Sequence, residues 1–279
     1  MLPERSLQEI LTGEIRSRDL TLPVFHNVAL DVRRLVESGA CSAGDVEKVI
    51  AQDPALAGQV LRVANSPFFS GLSKVSTVEK AIVRLGLKQV SSIVLLASQK
   101  GAYKSKVALI ERYMEDLWKQ ANASSVGTKW VATRSGHRGV AEEAFLAGLL
   151  HDIGKLVILK LLEQMIDEQG EAHGISDSIV VEVLRGMHEE QGGILLEEWN
   201  FPDEYVEVAR NHHSDKVERG NTVLLAVRLV DCVIGKLGIG CEPIKDAAPE
   251  STLEAEMLGL SEIQIAELEI LLEDQMDLV

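Results

Sequence analysis

Apolar residues recur along most of the chain with the period of an α-helix, and strand-like alternation is nowhere sustained. In "DPALAGQVLRVANS", Asp53 is predicted to cap a helix that begins at Pro54. In "STVEKAIVRLGLKQV", Ser76 and Glu79 predict a capping box, and Gly86 suits the left-handed position at which a helix ends. The pattern therefore predicts an all-α protein.

The longest predicted helix runs from about Val107 to Thr133, after a shorter one from about Gln89 to Ser98. Its buried face is expected to consist of residues at spacings of four and three, which are Tyr113, Leu117, Ala121, Ser124, Thr128 and Val131. Small residues on or near this face would let another helix approach closely. The tail predicts one more helix from Ser261, capped with Gln264, and docking on the core is favoured over self-association.

The stretch "QKGAYKSK", residues 99 to 106, interrupts the helical pattern, and we interpret it as a hinge between two helical lobes. The expected division is an N-terminal lobe of residues 1–103 and a C-terminal lobe, with its extension, of residues 104–279. A chain of 279 residues is long enough to bury one large core or two modest ones.

Composition narrows the range of partners and compartments. Aromatic residues make up only 4% of the chain, while Leu, Ile and Val are plentiful, which favours aliphatic helix packing. The net charge of −15 argues against nucleic acid or an anionic membrane as the main partner. The cysteines (Cys41, Cys232 and Cys241) form no CxxC pair, and no secretion signal is evident, so we expect a cytoplasmic protein. No uncharged apolar run reaches about 18 residues, so no membrane span is expected.

Ionisable residues interrupt two apolar stretches. In "AGLLHDIGKL", the adjacent His151 and Asp152 lie in the middle of a predicted helix of Leu, Ala and Gly. Asp231 lies in the apolar stretch "LLAVRLVDCVIGK". Burying an ionisable side chain without a partner is costly. These residues therefore either hydrogen-bond other protein groups or bind a metal ion.

Together with three further histidines, these residues form a candidate metal-ligand set: His151, Asp152, His188, His212, His213 and Asp231. Imidazole and carboxylate groups suit divalent Zn, Fe, Mn or Ni. A satisfied core pair at the His-Asp motif and a solvated helix end at "NHHS" are the plainer alternatives. Neighbouring side chains of a helix point about 100° apart, so adjacent histidines serve one site only near a helix terminus. The loop-like contexts of His26, His137 and His173 predict surface residues.

The order of the candidate ligands resembles the HD superfamily of metal-dependent phosphohydrolases, and is closest to its HD-GYP-like ligand order. The front half contains "LPVFHNVALDVRRLV", "IAQDPALAGQVLRVANSPFFS" and "STVEKAIVRLGLKQVSSIVL". These segments resemble the HDOD domain, the HD-related output domain of bacterial signalling proteins. The resemblance covers about residues 15 to 235, with His26 where the family usually has a second proline.

The resemblance implies an HD-superfamily-like helical bundle in the C-terminal lobe, with two metal positions. One position would use His151, Asp152 and Asp231 with a histidine from the preceding helix. Gln120 stands at that histidine's position and makes it a degenerate ligand position, because a neutral amide is a poor ligand for these metals. The other position is nominally complete, with Asp152, His188, His212 and His213. The expected cofactor is therefore one divalent transition metal, Fe, Mn, Ni or Zn.

The resemblance also bears on function. Asp152 and Lys155 are the candidates for a catalytic role, because a lysine in this motif could approach a phosphate; it could equally lie along the helix surface. Phosphate-ester hydrolysis has one of the largest uncatalysed barriers known, which a centre short of a ligand is poorly suited to overcome. We therefore expect a signalling output module that acts through a protein partner or a small ligand, without efficient phosphohydrolase activity. The alternatives are a metal-dependent phosphohydrolase or phosphodiesterase with a modified HD centre, and a metal-free helical scaffold.

Overall fold

The computed structural model of the chain describes residues 27–65, 74–169, 175–216, 220–241, 244 and 247–276. Within these ranges the regular elements are helices and no strand is present, which confirms the predicted all-α fold class. The described residues divide between Ala102 and Tyr103 into two compact units. None of the helices in the described ranges combines the length and the apolar character that a membrane crossing needs.

The described part of the first unit consists of α1 (Asn27–Glu37), α2 (Ala43–Ile50), α3 (Pro54–Ala64), α4 (Val78–Leu85) and α5 (Leu87–Gln99). Helices α1 and α3 pack on α5. Their aliphatic side chains form the core of this unit, in which Val32, Val60 and Val94 are fully buried. Burial of one apolar face on each helix is what stabilises such short helices.

Two of the predicted helix ends in this unit are confirmed. Asp53 caps α3, and its Oδ1 accepts a hydrogen bond of 2.9 Å from Ala55 N. Gly86 ends α4 with a φ of +87° and directly precedes α5. A positive φ strains residues with a side chain, so glycine permits this one-residue connection.

The start of α4 corrects one prediction. Ser76 and Glu79 do not form a capping box, because α4 begins at Val78 and the residue with N-cap geometry is Thr77. The Thr77 hydroxyl accepts a hydrogen bond of 3.2 Å from Lys80 N. Two adjacent hydroxyl residues stand before this helix, and the sequence pattern does not distinguish their positions.

The described part of the second unit contains α6 (Ala108–Arg134), α7 (Ala141–Leu150), α8 (Ile153–Gln169), α9 (Asp177–Glu198), α10 (Asp203–Asn211), α11 (Thr222–Leu237), α12 (Leu253–Met257) and α13 (Glu262–Met276). A short 3₁₀ turn precedes α7 and another precedes α12. The 27-residue α6 is the central element and packs against α7, α8, α11 and α13. Helix α9 packs on α8 and α10.

The buried face predicted for α6 is confirmed, since all six of its residues are buried. Small residues let neighbouring helices approach this face, as predicted. A Cβ added at Gly127 would lie 2.8 Å from a methyl group of Val230 on α11. A Cβ added at Gly148 on α7 would lie 2.6 Å from the carbonyl oxygen of Ser124. These contacts hold α7, which ends directly before His151, and α11, which contains Asp231, against α6.

The C-terminal helix α13 docks on the second unit, which confirms the favoured prediction. Ile265, Leu268 and Leu272 are buried in a cluster with aliphatic residues of α11. The predicted capping box is also present, with Ser261 N donating to Gln264 Oε1 at 2.9 Å and Gln264 N donating to Ser261 Oγ at 3.4 Å.

Helices α8 and α9 are in backbone contact at two glycines. A Cβ added at Gly154 would lie 1.9 Å from the carbonyl oxygen of His188 and 2.5 Å from Gly192 N. Backbone atoms cannot rotate away as a flexible side chain can, so no side chain fits at position 154. The contact places Asp152, two residues before Gly154, beside His188.

The substitution Gly154→Ala should destabilise the fold, because the added methyl group overlaps backbone atoms of α9. We expect the free energy of unfolding, measured by urea denaturation, to fall by about 3 kcal/mol. The matched control is Gly58→Ala in α3, where an added Cβ meets nothing within 4 Å. Helix propensity predicts a gain of up to about 1 kcal/mol for the control, and equal stability of the two variants would contradict the contact.

Candidate metal centre

The sequence predicted the His151-Asp152 motif in the middle of one helix, but the structure places it at the junction between two helices. Helix α7 ends at Leu150 and α8 begins at Ile153, so the two residues form the turn between them. Both side chains are almost fully buried. They face the same cluster, with His151 Nε2 3.3 Å from Asp152 Oδ2.

The adjacent His212 and His213 also follow a helix end, since α10 ends at Asn211. This position meets the condition that helical geometry sets for two neighbouring histidines to serve one site. Their ring centroids are 4.2 Å apart. With His188 from α9 and Asp231 from α11, four segments of the chain bring the six predicted residues into one cluster.

The carboxylate of Asp152 is at the middle of this cluster, and one of its oxygens is densely hydrogen-bonded. Oδ2 accepts hydrogen bonds from Gln120 Nε2 at 2.7 Å and from Lys155 Nζ at 2.9 Å. Burial alone would raise the pKa of Asp152, but the positive charge of Lys155 and the contact with His151 hold the pKa well below its ordinary value. Asp152 is therefore ionised. Lys155 is buried, so its ammonium group does not extend along the helix surface into solvent.

The second oxygen of Asp152, Oδ1, accepts no hydrogen bond from the described part of the chain. It lies 3.4 Å from His188 Nε2 and 3.5 Å from His212 Nε2, and these two nitrogens are 3.1 Å apart. On the other edge of each ring, Nδ1 lies 2.8 Å from Leu184 O for His188 and 3.0 Å from Ala209 O for His212.

The protonation of His188 and His212 follows from these contacts. A carbonyl oxygen can only accept a hydrogen bond, so each Nδ1 carries a proton, and in the neutral ring Nε2 presents a lone pair. Burial lowers the pKa of both rings to about 4, so both are neutral at pH 7. Two nitrogen lone pairs and one carboxylate oxygen therefore converge without a proton between them.

This convergence fits a divalent transition metal. Imidazole nitrogen and carboxylate oxygen are ordinary ligands of Zn, Fe, Mn and Ni. Histidines that bind metals commonly donate their other ring N–H to a backbone carbonyl, which fixes the ring orientation. His188 and His212 both have this support before any ion is bound.

On the opposite side of the cluster, His151 lies between two carboxylates. Its Nδ1 is 2.8 Å from Gly148 O, and its Nε2 is 3.3 Å from Asp152 Oδ2 and 3.9 Å from Asp231 Oδ1. Burial would lower the pKa of His151, but the two negative charges outweigh burial and raise the pKa to about 10. Burial would raise the pKa of Asp231, but contact with His151 lowers it to about 2. On this side the carboxylates are balanced by a protonated imidazole.

Gln120 lies at the centre, as predicted, and acts as a donor. Its Nε2 donates to Asp152 Oδ2 and lies 3.4 Å from Asp231 Oδ1. Its Oε1 is buried and has no hydrogen-bond partner in the described chain. Gly240, with a φ of +97°, lies against the amide, and an added Cβ there would be 2.4 Å from Oε1. The amide binds the two carboxylates where an imidazole could bind a cation.

His213 is the exposed member of the cluster, with 45% of its side chain accessible to solvent. Its backbone N donates to Glu189 Oε1 at 3.3 Å, and its Nδ1 lies 4.0 Å from Asp231 Oδ2. One ligand atom each from His188, His212 and His213 lie within 4.8 Å of one another. The centre is therefore open to solvent on this side.

The segment after His213 is anchored by Arg228 of α11. Its Nη1 donates to Ser214 O, and its Nε donates to Glu254 Oε1 at 2.7 Å. Glu254, at the start of α12, is buried. Arg228 thus connects the histidine pair to the C-terminal part of the chain.

A cavity of about 360 Å³ opens beside the cluster, and Lys155, Arg185 and Glu189 are among the polar residues that line it. The sequence did not indicate Arg185 or Glu189. The sequence does contain a signal that Glu189 lies near the centre, because this residue directly follows His188 in the chain. Arg185 is three residues before His188, so it faces the same side of α9, which the sequence reveals only once His188 is placed in the centre.

The sequence also provided no indication that Tyr103 is buried near the cluster. It is buried, and its ring centroid lies 5.3 Å from that of Trp118 on α6. Burial, with a smaller contribution from the negative charge of Asp152, raises the pKa of its phenol. Tyr103 lies within the stretch that interrupts the helical pattern, where periodicity gives no indication of burial.

The residues predicted to lie outside the centre are consistent with the structure where it describes them. His137 is exposed, as predicted. His26 and His173 lie outside the described residues. The three cysteines are partly buried and form no disulfide bond.

The geometry predicts one tautomer for His188 and His212 in the metal-free protein. Both rings should carry their proton on Nδ1 at pH 7, because Nδ1 faces a backbone carbonyl. Long-range ¹H–¹⁵N correlation spectra of the imidazole groups measure this directly, with His137→Ala and His188→Ala variants assigning the signals. A proton on Nε2 of either ring would contradict the assignment of converging lone pairs.

Several solved structures have this fold. An HDOD domain protein of unknown function from Geobacter sulfurreducens has a TM-score of 0.72 at 18% identity, over 96% of this chain and 94% of that one. A candidate metal-dependent phosphohydrolase from Shewanella amazonensis SB2B has a TM-score of 0.69 at 22% identity, over 94% and 98%. A candidate signal transduction protein from Marinobacter aquaeolei VT8 has a TM-score of 0.65 at 25% identity, over 92% and 58%.

Sequence comparison identifies the family. An uncharacterised protein of Treponema pallidum (strain Nichols) is 24% identical over 212 residues, which is 73% of this chain. The chain spans 40% of the length of that relative. The model of the HDOD domain matches residues 22–215, which lie within the predicted extent and make up well over half of the chain. This protein therefore belongs to the HDOD domain family.

Proposed function

We propose that this chain is a regulatory output module of the HDOD type, which binds one divalent transition metal and has no efficient phosphohydrolase activity. The observation that carries the proposal is the unequal use of the two Asp152 oxygens. Oδ2 is occupied by protein donors, whereas Oδ1 is without a hydrogen bond from the described residues and faces two imidazole nitrogens.

The metal would be held by Asp152 Oδ1 with His188 and His212, and by His213 from the exposed side. This donor set suits Fe, Mn, Ni or Zn. When bound, such an ion would supply a Lewis acid that binds anionic oxygen atoms. Exposure of His213 supports access of a ligand from solvent.

A second metal is disfavoured by charge and by hydrogen bonding. The other side of the cluster already contains the ammonium group of Lys155, which donates to Asp152 Oδ2. A further dication there would meet this positive charge at short range, and it would have to displace any proton on His151 Nε2. Gln120 would also provide no ligand to this ion through its amide nitrogen, because that nitrogen donates a hydrogen bond to Asp152 Oδ2.

A centre with one metal is a weak basis for phosphate-ester hydrolysis. Two ions in one site can stabilise both the attacking and the leaving oxygen, an arrangement that a single ion does not provide. The barrier of this reaction is among the largest known. The lopsided centre therefore supports a binding and regulatory role, in line with HDOD family membership and with the fold shared with the Marinobacter aquaeolei protein. The partner would be a protein of a signalling pathway or a small ligand.

Metal content tests the proposed centre. Protein purified without chelator and analysed by inductively coupled plasma mass spectrometry should contain about one transition-metal ion per chain. His188→Ala should reduce this to near zero, because it removes one of the converging nitrogens. His137→Ala, which changes an exposed histidine outside the cluster, is the control. No metal after supplementation with Mn, Fe, Ni and Zn, or two ions per chain, would contradict the proposal.

The role of Gln120 is tested by restoring an imidazole. Gln120→His should raise the metal content from about one to about two ions per chain, since it adds a ligand beside His151, Asp152 and Asp231. Gln52→His, at an exposed position of the first unit, is the matched control for an added histidine. A metal content of about one in both variants would show that the amide does not limit the second position.

The second candidate function is a phosphohydrolase or phosphodiesterase with a modified centre. The cavity beside the cluster favours it, because Lys155 and Arg185 are among its lining residues and could contact a phosphate. We expect no turnover of bis(4-nitrophenyl) phosphate by the wild-type protein loaded with Mn, Fe, Ni or Zn, relative to the matched Asp152→Ala variant. Turnover that both Asp152→Ala and His188→Ala abolish, with unchanged circular dichroism, would favour the hydrolase.

A further inference from the structure

The cavity beside the metal centre is lined by two chemically different sets of residues. Lys155, Arg185 and His213 are among the polar ones. The others are Ile234, Gly235, Ile239 and Ile244, which together we call the aliphatic wall. With a volume of about 360 Å³, the cavity lies within the range of small-molecule sites.

The aliphatic wall is held in place by the end of α11 and the residues that follow it. Ile239 N donates to Ile234 O at 3.1 Å, and Ile244 N donates to Gly235 O at 2.9 Å. A Cβ added at Gly235 would lie 2.9 Å from Ile244 Cδ1, so glycine allows Ile244 to pack directly on the helix. The wall is thus a built surface, although no chemistry of the centre requires it.

The aliphatic wall also lies outside the part of the chain that the HDOD model matches. That match ends at residue 215, whereas the wall begins at Ile234. Ile244 remains 48% exposed despite its size, and an exposed isoleucine at a cavity rim offers apolar surface that a ligand can cover.

We propose that this cavity binds a small amphipathic oxyanion, with its carboxylate, phosphate or phosphonate head at Lys155 and Arg185 and an apolar body against the aliphatic wall. The proposal rests on the proposed metal centre, because a bound dication adds to the positive charge of Lys155 and Arg185. Two carboxylates, Asp231 and Glu189, also line the cavity. Asp231 is already engaged by Gln120 and His151. Glu189 accepts a hydrogen bond from His213 N. The apolar body distinguishes the ligand from inorganic phosphate, and the wall determines specificity.

The experiment compares pairs of ligands that share a head group. Isothermal titration calorimetry of the full chain measures dissociation constants for methylphosphonate against phenylphosphonate, and for acetate against phenylacetate. Neither phosphonate can be hydrolysed as an ester. Burial of a phenyl ring on the wall should tighten binding about tenfold within a pair. The two pairs also show whether a phosphate-like head or a carboxylate is preferred.

Two variants test whether the wall causes this preference. Ile239→Asn and Ile244→Asn should each reduce the affinity ratio within a pair towards one, while the affinity for methylphosphonate changes less than twofold. The matched control is Ile263→Asn on α13, where the side chain is 74% exposed and outside the cavity. It should retain the wild-type ratio.

An affinity ratio near one in the wild-type protein, or an undiminished ratio in both wall variants, would overturn the proposal. So would the absence of binding by all four ligands. Metal content of the same samples separates this result from the proposed function. If the protein contains one ion per chain but the affinity ratio within each pair is near one, the proposed role of the aliphatic wall is refuted and the metal centre is not. If the protein contains no metal, the proposed metal centre is refuted, and the affinity ratio still tests the wall.

Discussion

The buried carboxylate of Asp152 is the constraint on which the second unit depends. An ionised group in this position is tolerated only when neighbouring groups compensate its charge. The compensating groups come from separate parts of the chain, with Gln120 on α6, Lys155 on α8 and His151 in the turn between α7 and α8. Helices that supply such groups must pack at short distance around one point, and the glycines at their contacts make that distance attainable.

Much of the fold follows from local sequence. Helical periodicity predicts the all-α class and the buried face of α6, because each helix must bury one apolar side. Capping chemistry predicts the starts of α3 and α13. Periodicity does not reveal the break at His151-Asp152, since the apolar residues on both sides continue without a Gly or Pro at the turn. The same local uncertainty moves the cap of α4 from Ser76 to Thr77.

The candidate centre is only partly predictable. Resemblance to the family selects its residues, and the cost of burying a charge singles out Asp231. The different surroundings of the two Asp152 oxygens depend on side chains more than thirty residues apart in sequence. Contacts of this kind, like that of Gly240 with Gln120, leave no periodic signal. The aliphatic wall is equally hidden, because an apolar helix end predicts burial in a core and not the lining of a cavity.

The contact of Gly154 with the backbone of α9 has a mechanical consequence. Two helices that touch at main-chain atoms cannot slide or part without losing their packing, so α8 and α9 behave as one stiff body. A displacement of one of these helices would therefore carry the other with it. Arg228 in turn couples Ser214, the residue after the histidine pair, to Glu254 of α12, so the position of the pair depends on the packing of the C-terminal helices.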